Sequence, residues 1–404
     1  MAFFLPARAE TARLSVPVAD SSDVEPYASG RSFGGHLLAL PAYAFDLITR
    51  PVGYGLRRAE EIAPRLLEGE RGDYGVFPLL ELGGDTGAAF GLLAFHNKPF
   101  RDTHNARIEA LFGSREYNDF QFEYRINRFL TPGGRLDLQG TYANRPDRAF
   151  LFGNSADFED RSFYDRENTE LSLRYTYRLS ARHSLRLNTD YLSRNITRSA
   201  RDNEAGVPAF PADLRSNSSI FSTGLLLRLD KARGPRRIVR GNRLITNLEW
   251  SRSLSNTRYH YLNYTAEAHQ FLPVPLLPEN RRLAFKARLE KAEPLGERDI
   301  PFYENPSLGS SESLRGFSTD RFRDSGALLF TLEYRYPIWD FSDIVLFVDE
   351  GQVFNHFSDI SPHRFHASYG IGVHLISAAG LALRSEVAFS REDSRFILLI
   401  SPNF

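Results

Sequence analysis

Three charged positions in the last third of the chain are of types that do strong ionic chemistry. They are Arg315, followed by Gly316 and Phe317, then Glu333, then Asp349 with Gly351 close behind. Period-two alternation puts Glu333 on the polar side of Ala327–Ile338, and Asp349 on the side opposite Ile344, Leu346 and Val348. A guanidinium offers a planar fork of donors, so an arginine on an inward-folding loop can meet two carboxylates at once. Catalytic motifs are absent: there is no G-x-S-x-G elbow, no H-E-x-x-H and no P-loop. The ten His are scattered, and His363 and His366 fall in a turn-like segment, so neither a metal nor a cofactor is expected. The lack of cysteine excludes disulfides, thiolate zinc sites and cysteine nucleophiles. A Ser-His-Asp set with distant partners stays open, which keeps a membrane-embedded hydrolase as one alternative.

The elements that must carry these residues are strands. In Ala327–Ile338 one face reads Leu328, Phe330, Leu332, Tyr334, Tyr336 and Ile338, and the other carries Thr331, Glu333 and Arg335. Glu170–Leu179, Ser184–Leu192 and Leu381–Phe389 alternate in the same way, the last with Arg384 and Glu386 on its polar side. Many such segments end in Tyr, Phe or Trp beside turn residues, the pattern of interfacial aromatic girdles. About sixteen strands can be marked from Tyr74 to Phe404, with one more hairpin left open around Pro146–Tyr164. Thr131–Gly134 and Ala378–Gly380 read as short periplasmic turns. Arg198–Asn217 and a segment over about 293–324 read as long extracellular loops.

Composition agrees with that pattern. Lys+Arg is 50 and Asp+Glu is 50, so the formal charge is zero, which argues against a nucleic-acid binder. A hydrophobic share of 42% with 25% charged residues excludes wholesale disorder. A mean hydropathy of -0.36 excludes a bundle of membrane helices. It does not exclude a transmembrane barrel, which is apolar outside and polar inside residue by residue. The fold class expected is therefore all-β: a transmembrane antiparallel β-barrel of about sixteen strands over 73–404, preceded by a short helical N-terminal extension.

That extension, residues 1–72, has its helical signal at about 42–68. Phe45, Leu47, Ile48, Val52, Leu56, Ile62, Leu66 and Leu67 recur at helical intervals, interrupted by Pro51, Gly53 and Gly55. The segment reads as a helix packed at the barrel mouth, a plug, or an amphipathic helix on the inner leaflet. Ala7-Arg8-Ala9 has the form of a signal-peptidase site without a full h-region before it. Either the native start lies upstream or the match is chance.

Residues 299–351 carry a resemblance. Leu314-Arg315-Gly316-Phe317, then Leu332-Glu333-Tyr334-Arg335, then Phe347-Val348-Asp349-Glu350-Gly351 follow in order. This series resembles the BamA/TamA-like outer-membrane assembly and translocation superfamily, the bacterial surface antigen family. The first piece looks like the V/L-R-G-F/Y tip of the family's sixth extracellular loop. The others look like the glutamate-bearing strand and the F-x-D-x-G strand after it. Family members carry periplasmic POTRA domains, for which the region before Tyr74 shows no pattern, so a barrel-only member is expected.

The resemblance implies a site and a function. Arg315 would lock to Glu333 and Asp349, with Gly316 turning the tip and Phe317 wedging between strands. Arg321, further along the same loop, is expected to matter little. The first and last strands would form a weak seam marked by Tyr74, Gly75, Leu82, Arg395, Pro402 and Phe404, and Phe404 resembles the aromatic end by which barrels are recognised for assembly. The implied function is insertion or translocation of proteins, or lipids, at the bacterial outer membrane. Its partners would be outer-membrane lipid, a client barrel or secreted protein, and a periplasmic or lipoprotein partner, with the barrel monomeric and no nucleic acid involved. A passive pore, or a scaffold for an envelope partner, is the other alternative.

Overall fold

The structure, a computed structural model, describes residues 73–402 except 84–86, 114–116, 151, 159–160, 199–215, 233–239, 256–257, 275–280, 340–341 and 377–380. The extension expected over 1–72, with its helices at 42–68, and Phe404 lie outside the described residues.

Period-two sequence becomes strand throughout. The strands are β1 (Tyr74–Gly83), β2 (Gly87–His96), β3 (His104–Gly113), β4 (Asn118–Asn127), β5 (Gly134–Ala149) and β6 (Ser162–Arg178). Next come β7 (Ser184–Arg198), β8 (Ser216–Asp230), β9 (Gly241–Ser253), β10 (His260–Pro273) and β11 (Arg282–Pro294). Two two-residue strands follow, β12 (Ser307–Leu308) and β13 (Phe322–Arg323). The chain closes with β14 (Gly326–Trp339), β15 (Ser342–Phe354), β16 (His366–Ile376), β17 (Leu381–Ser390) and β18 (Ser394–Pro402). All except β12 and β13 join in one closed antiparallel barrel of sixteen strands, with β1 paired to β18.

The barrel is inverted relative to a soluble protein. Phe90, Leu92, Ile108, Phe122, Leu171, Leu173, Leu248, Leu332, Leu346 and Ile371 are exposed on its outside. Glu109, Asp137, Arg166, Arg194, Glu249, Asp349 and Glu386 are buried inside. An apolar outer band with a polar interior is what a lipid-spanning barrel requires.

Among the described residues of Pro146–Tyr164 there is no extra hairpin. β5 runs on to Ala149, paired with Ser162 of β6. Arg145–Arg148 does not alternate, so the sequence carries no strand signal for this last part of β5. β5, β6 and β7 have 16, 17 and 15 residues, more than the ~9–11 a span needs. Their excess stands beyond the bilayer, where neither face needs to be apolar.

The connections sort to two ends. The end that holds the start of β1 and the end of β18 also carries the turns β2–β3, β4–β5, β6–β7 and β8–β9. The opposite end carries the loops after β5, β7, β11 and β15.

Candidate functional site: the sixth loop and its lock

The connection from β11 to β14 is the sixth loop at the far end. It is not loose. β12 and β13 pair within it, Ser307 with Arg323 and Leu308 with Phe322. The resulting ribbon is packed by Leu308, Leu314, Phe317 and Phe322 against the wall residues Ala327, Leu329 and Val353. Gly351 makes room for this ribbon: a Cβ there would lie 2.7 Å from Leu308 Cδ1.

At the tip the backbone turns through two left-handed residues, Leu314 (φ 53) and Gly316 (φ 93). A bulky residue in this region is an outlier that costs about 1–3 kcal/mol. A side chain at Gly316 would also crowd the backbone of Phe389, 3.1 Å from its carbonyl carbon. The double turn aims both the main chain and the side chain of Arg315 at the wall.

Asp349 receives most of what Arg315 gives. The main-chain N–H of Arg315 donates to Asp349 Oδ2 at 3.1 Å, Nε donates to the same oxygen at 2.8 Å, and Nη2 donates to Oδ1 at 2.9 Å. Nη1 donates to Glu333 Oε1 at 3.1 Å and to Glu386 Oε1 at 3.3 Å. The guanidinium also lies 3.5 Å over the ring of Phe347, a cation–π contact. Burial opposes the charge on Arg315, but its hydrogen bonds to Asp349 and its attraction to all three carboxylates hold its pKa above the ordinary value.

Register explains the convergence. Asp349 pairs with Thr331, two residues from Glu333 on the same strand face, so the two acids are diagonal neighbours. Glu386 comes from farther round the wall, across β16. It reaches the site because β16 has glycine at the inward positions between. A Cβ on Gly370 would lie 2.4 Å from Phe347 Cζ, and one on Gly372 would lie 2.5 Å from Glu386 Cγ. The outer oxygens are held in turn. Arg335 donates to Glu333 Oε2 at 2.7 Å, Arg384 donates to Glu386 Oε2 at 2.7 Å, and His374 Nε2 lies 2.8 Å from Glu386 Oε1. Three carboxylates thus face three guanidiniums, so the cluster is charge-balanced despite its burial.

Glu386 belongs to this cluster although the sequence series that points to Arg315, Glu333 and Asp349 does not include it. Alternation puts Glu386 on the polar side of its strand, but only the β15–β16–β17 register and the two glycines bring it to Arg315.

Two loop residues depart from expectation. Phe317 does not wedge between strands. It packs inside the loop on Phe322, centroids 5.2 Å apart, and on His366 at the end of β16, 6.0 Å away. An aromatic ring gains more from that enclosed cluster than from parting a hydrogen-bonded ladder. Arg321 is no solvated bystander. It is 2% exposed and donates to both oxygens of Glu392, at 2.7 and 2.9 Å, and to the Ala156 carbonyl at 2.7 Å. Its charge is buried among three loops, and the number of residues separating it from Arg315 gives no hint of that.

The seam residues are placed as follows. β1 and β18 pair over four positions, from Leu80↔Ile400 to Gly83↔Ile397, with Leu82 opposite Leu398. Among the described residues Tyr74 and Gly75 pair with β2 alone, opposite His96 and Phe95. Pro402 pairs with Leu381 of β17. Arg395 meets the sixth loop, donating to Ser318 Oγ at 3.0 Å. Extending the seam register by two residues would set Pro78 opposite Pro402, so two residues with no N–H donor face each other beyond the end of the ladder.

Comparison with known proteins agrees with this architecture. The Omp85 superfamily domain matches residues 102–395. No curated protein sequence matches the chain. Among solved structures, BamA from Haemophilus ducreyi lacking POTRA domains 1–3 is similar, with a TM-score of 0.59 and 16% identity over 81% of this chain and 70% of that one. CdiB from Acinetobacter baumannii is similar with a TM-score of 0.55 and 13% identity, over 81% of this chain and 60% of that one. CdiB from Escherichia coli gives 0.54 and 12%, over 81% and 62%. At such identities the likeness to these structures is one of fold, and this chain spans about three fifths of the CdiB chains. The family itself is given by the matched domain, which covers most of the barrel: the chain belongs to the Omp85 superfamily and is a β-barrel of the bacterial outer membrane.

Proposed function

We propose that this barrel inserts or translocates polypeptide at the outer membrane, with the seam between β1 and β18 offered to a client strand and the Arg315 lock bracing the wall beside it. The observation that carries the reading is the seam. Its ladder covers four residue pairs, whereas β17 and β18 pair over nine. The edge of β1 from Tyr74 to Leu79 has no partner on that side among the described residues. An open strand edge is a template for another strand, and strand addition is a recurrent way of capturing extended peptides. The lock suits the same task. A barrel that parts at one seam needs the rest of its wall held, and Arg315 ties β14, β15 and β17 through one loop.

A passive pore is the second class of function. The sixth loop folded into the lumen weighs against it. A scaffold for a lipoprotein partner and a membrane-embedded hydrolase have no observation in their favour.

The test is a cross-link. The chain has no cysteine, so Leu80→Cys with Ile400→Cys introduces a single pair at directly opposed positions, within the Cα separation that a disulfide accepts. The doubly substituted protein in liposomes is offered a urea-unfolded eight-stranded outer-membrane barrel. Oxidation is expected to abolish client folding and reduction to restore it. Equal client folding by the oxidised and reduced forms would refute the seam as the working edge.

A further inference from the structure

The end of the barrel with the short turns carries an uneven rim. On three successive turns an exposed apolar residue stands beside an exposed cation. Phe100 stands with Arg101, Leu130 with Arg128, and Leu179 with Arg182; the apolar members are 79%, 80% and 53% exposed. Lys231, exposed after β8, adds a fourth exposed cation to the rim. None of these four cations has an acidic partner among the described residues.

Aromatic residues of these turns pack on the lipid-facing side. Glu123 and Arg125 point inward with Asp137, so alternation turns Tyr124 outward, and Phe100 packs edge-on against Tyr124 with centroids 6.3 Å apart. Phe129 packs in the same way on Tyr175, which shares its strand face with exposed Leu171, Leu173 and Tyr177. The cations therefore stand just beyond an aromatic belt, at the depth of lipid headgroups. The far side of the same rim differs. There Arg282 pairs with Asp343 at 3.1 Å, and Arg281 lies 4.6 Å over the ring of Tyr336.

We propose that the rim from β2 to β8 is a binding surface for anionic phospholipid headgroups of the leaflet at the short-turn end, with Arg101, Arg128 and Arg182 as the phosphate ligands. A guanidinium matches a phosphodiester with two parallel hydrogen bonds. The exposed Phe and Leu beside each arginine anchor the turn in the interfacial layer. Cations spread along an outer circumference, each with an exposed apolar neighbour on the same turn, fit a headgroup layer that follows the rim. An acidic protein would have to displace lipid from the belt to reach them. The inference rests on the membrane-spanning fold and not on the translocation reading.

The test compares the full chain with the triple variant Arg101→Gln, Arg128→Gln, Arg182→Gln. Both are placed in bilayers of phosphatidylethanolamine with a minor fraction of phosphatidylglycerol and extracted with their adjacent lipid. Lipid analysis reads the phosphatidylglycerol enrichment over bulk. The wild type is expected to enrich phosphatidylglycerol, and raised salt to reduce that enrichment. The triple variant is expected to weaken it on the order of tenfold or more. A triple lysine variant should keep most of it, which separates charge from folding, and unheated electrophoretic mobility checks that each barrel is folded. Equal enrichment by wild type and the glutamine variant, or none by the wild type, would overturn the proposal. The second result is also the one expected if the rim serves an acidic protein instead.

Discussion

At the scale of the residue, Arg315 sets the terms. Its side chain is 5% exposed, with Asp349 at 2% and Glu386 at 0%. Removing the guanidinium would leave buried acids facing one another with one counter-charge fewer, a loss of about 3–5 kcal/mol. Arg315→Ala is therefore expected to lower the midpoint of urea unfolding, read from the mobility of unheated samples. Arg315→Lys should recover little of it. An ammonium cannot make the paired Nε and Nη2 contacts to Asp349 while Nη1 reaches Glu333. Arg321→Ala is expected to cost about as much, against the sequence expectation, because it strands Glu392 and opens the contact to the Ala156 carbonyl. If Arg321→Ala unfolds at the wild-type urea concentration, the buried contacts of that arginine contribute nothing measurable. Gly372→Ala tests the lock from behind. Its methyl would occupy the space of Glu386 Cγ and should disturb the Arg315 cluster without removing any charged group.

At the scale of the element, the sixth loop is fastened to the final hairpin as firmly as to its own strands. Ser390 donates to the Gly316 carbonyl at 2.9 Å, and Arg384 donates to the Ser311 carbonyl at 2.7 Å and to Glu312 at 2.8 Å. With Arg321–Glu392 and Arg395–Ser318, these contacts bind the loop to β17 and β18, which include the seam strand itself. Breaking the lock should therefore loosen that hairpin. In Arg315→Ala, amide hydrogen exchange is expected to rise over 381–402 and stay unchanged over 216–253. Uniform acceleration along the chain would mean that the loop stabilises the whole barrel and has no special hold on the seam.

The strands were legible because one physical demand repeats. Lipid outside and water inside impose period two, so Leu332, Leu346 and Ile371 turn outward and Glu333 and Asp349 turn inward wherever the chain spans. Above the bilayer that demand lapses, which is why the last residues of β5 carry no such period. The loop contacts were illegible for a related reason. Asn154, for example, accepts from the Val353 N–H at 3.0 Å and donates to the Arg364 carbonyl at 2.7 Å. Such a contact depends on two loops and the end of β15 arriving together and leaves no period behind. Glu386 falls between the two cases: its face could be read from alternation, and its partner could not.

At the scale of the whole molecule, the sixth loop spans the mouth of the barrel at the loop end. Sixteen strands enclose a width that leaves an aqueous channel when nothing fills it. Here Phe317, Phe322 and Leu314 are each at most 1% exposed, so the loop tip is a packed body and not a strand of chain crossing water. Its far flank is held as well: Arg194, inside the wall on β7, donates to Glu304 at 3.3 Å and lies 4.2 Å over the ring of Tyr303, whose hydroxyl bonds Ser218. The loop is thus anchored on β7 and β8 at one side and on β15 to β18 at the other, spanning the mouth. The wild-type protein in planar bilayers is then expected to conduct poorly. Replacing residues 309–321 by two glycines, so that β12 and β13 close on a tight turn, should give long-lived openings of porin-like size. Arg315→Ala, which frees the tip but leaves the Arg194 anchor, should give brief openings of the same size. Low conductance in all three proteins would show that the lumen is shut by something other than this loop, and the bracing role of Arg315 would then have to be judged from stability alone.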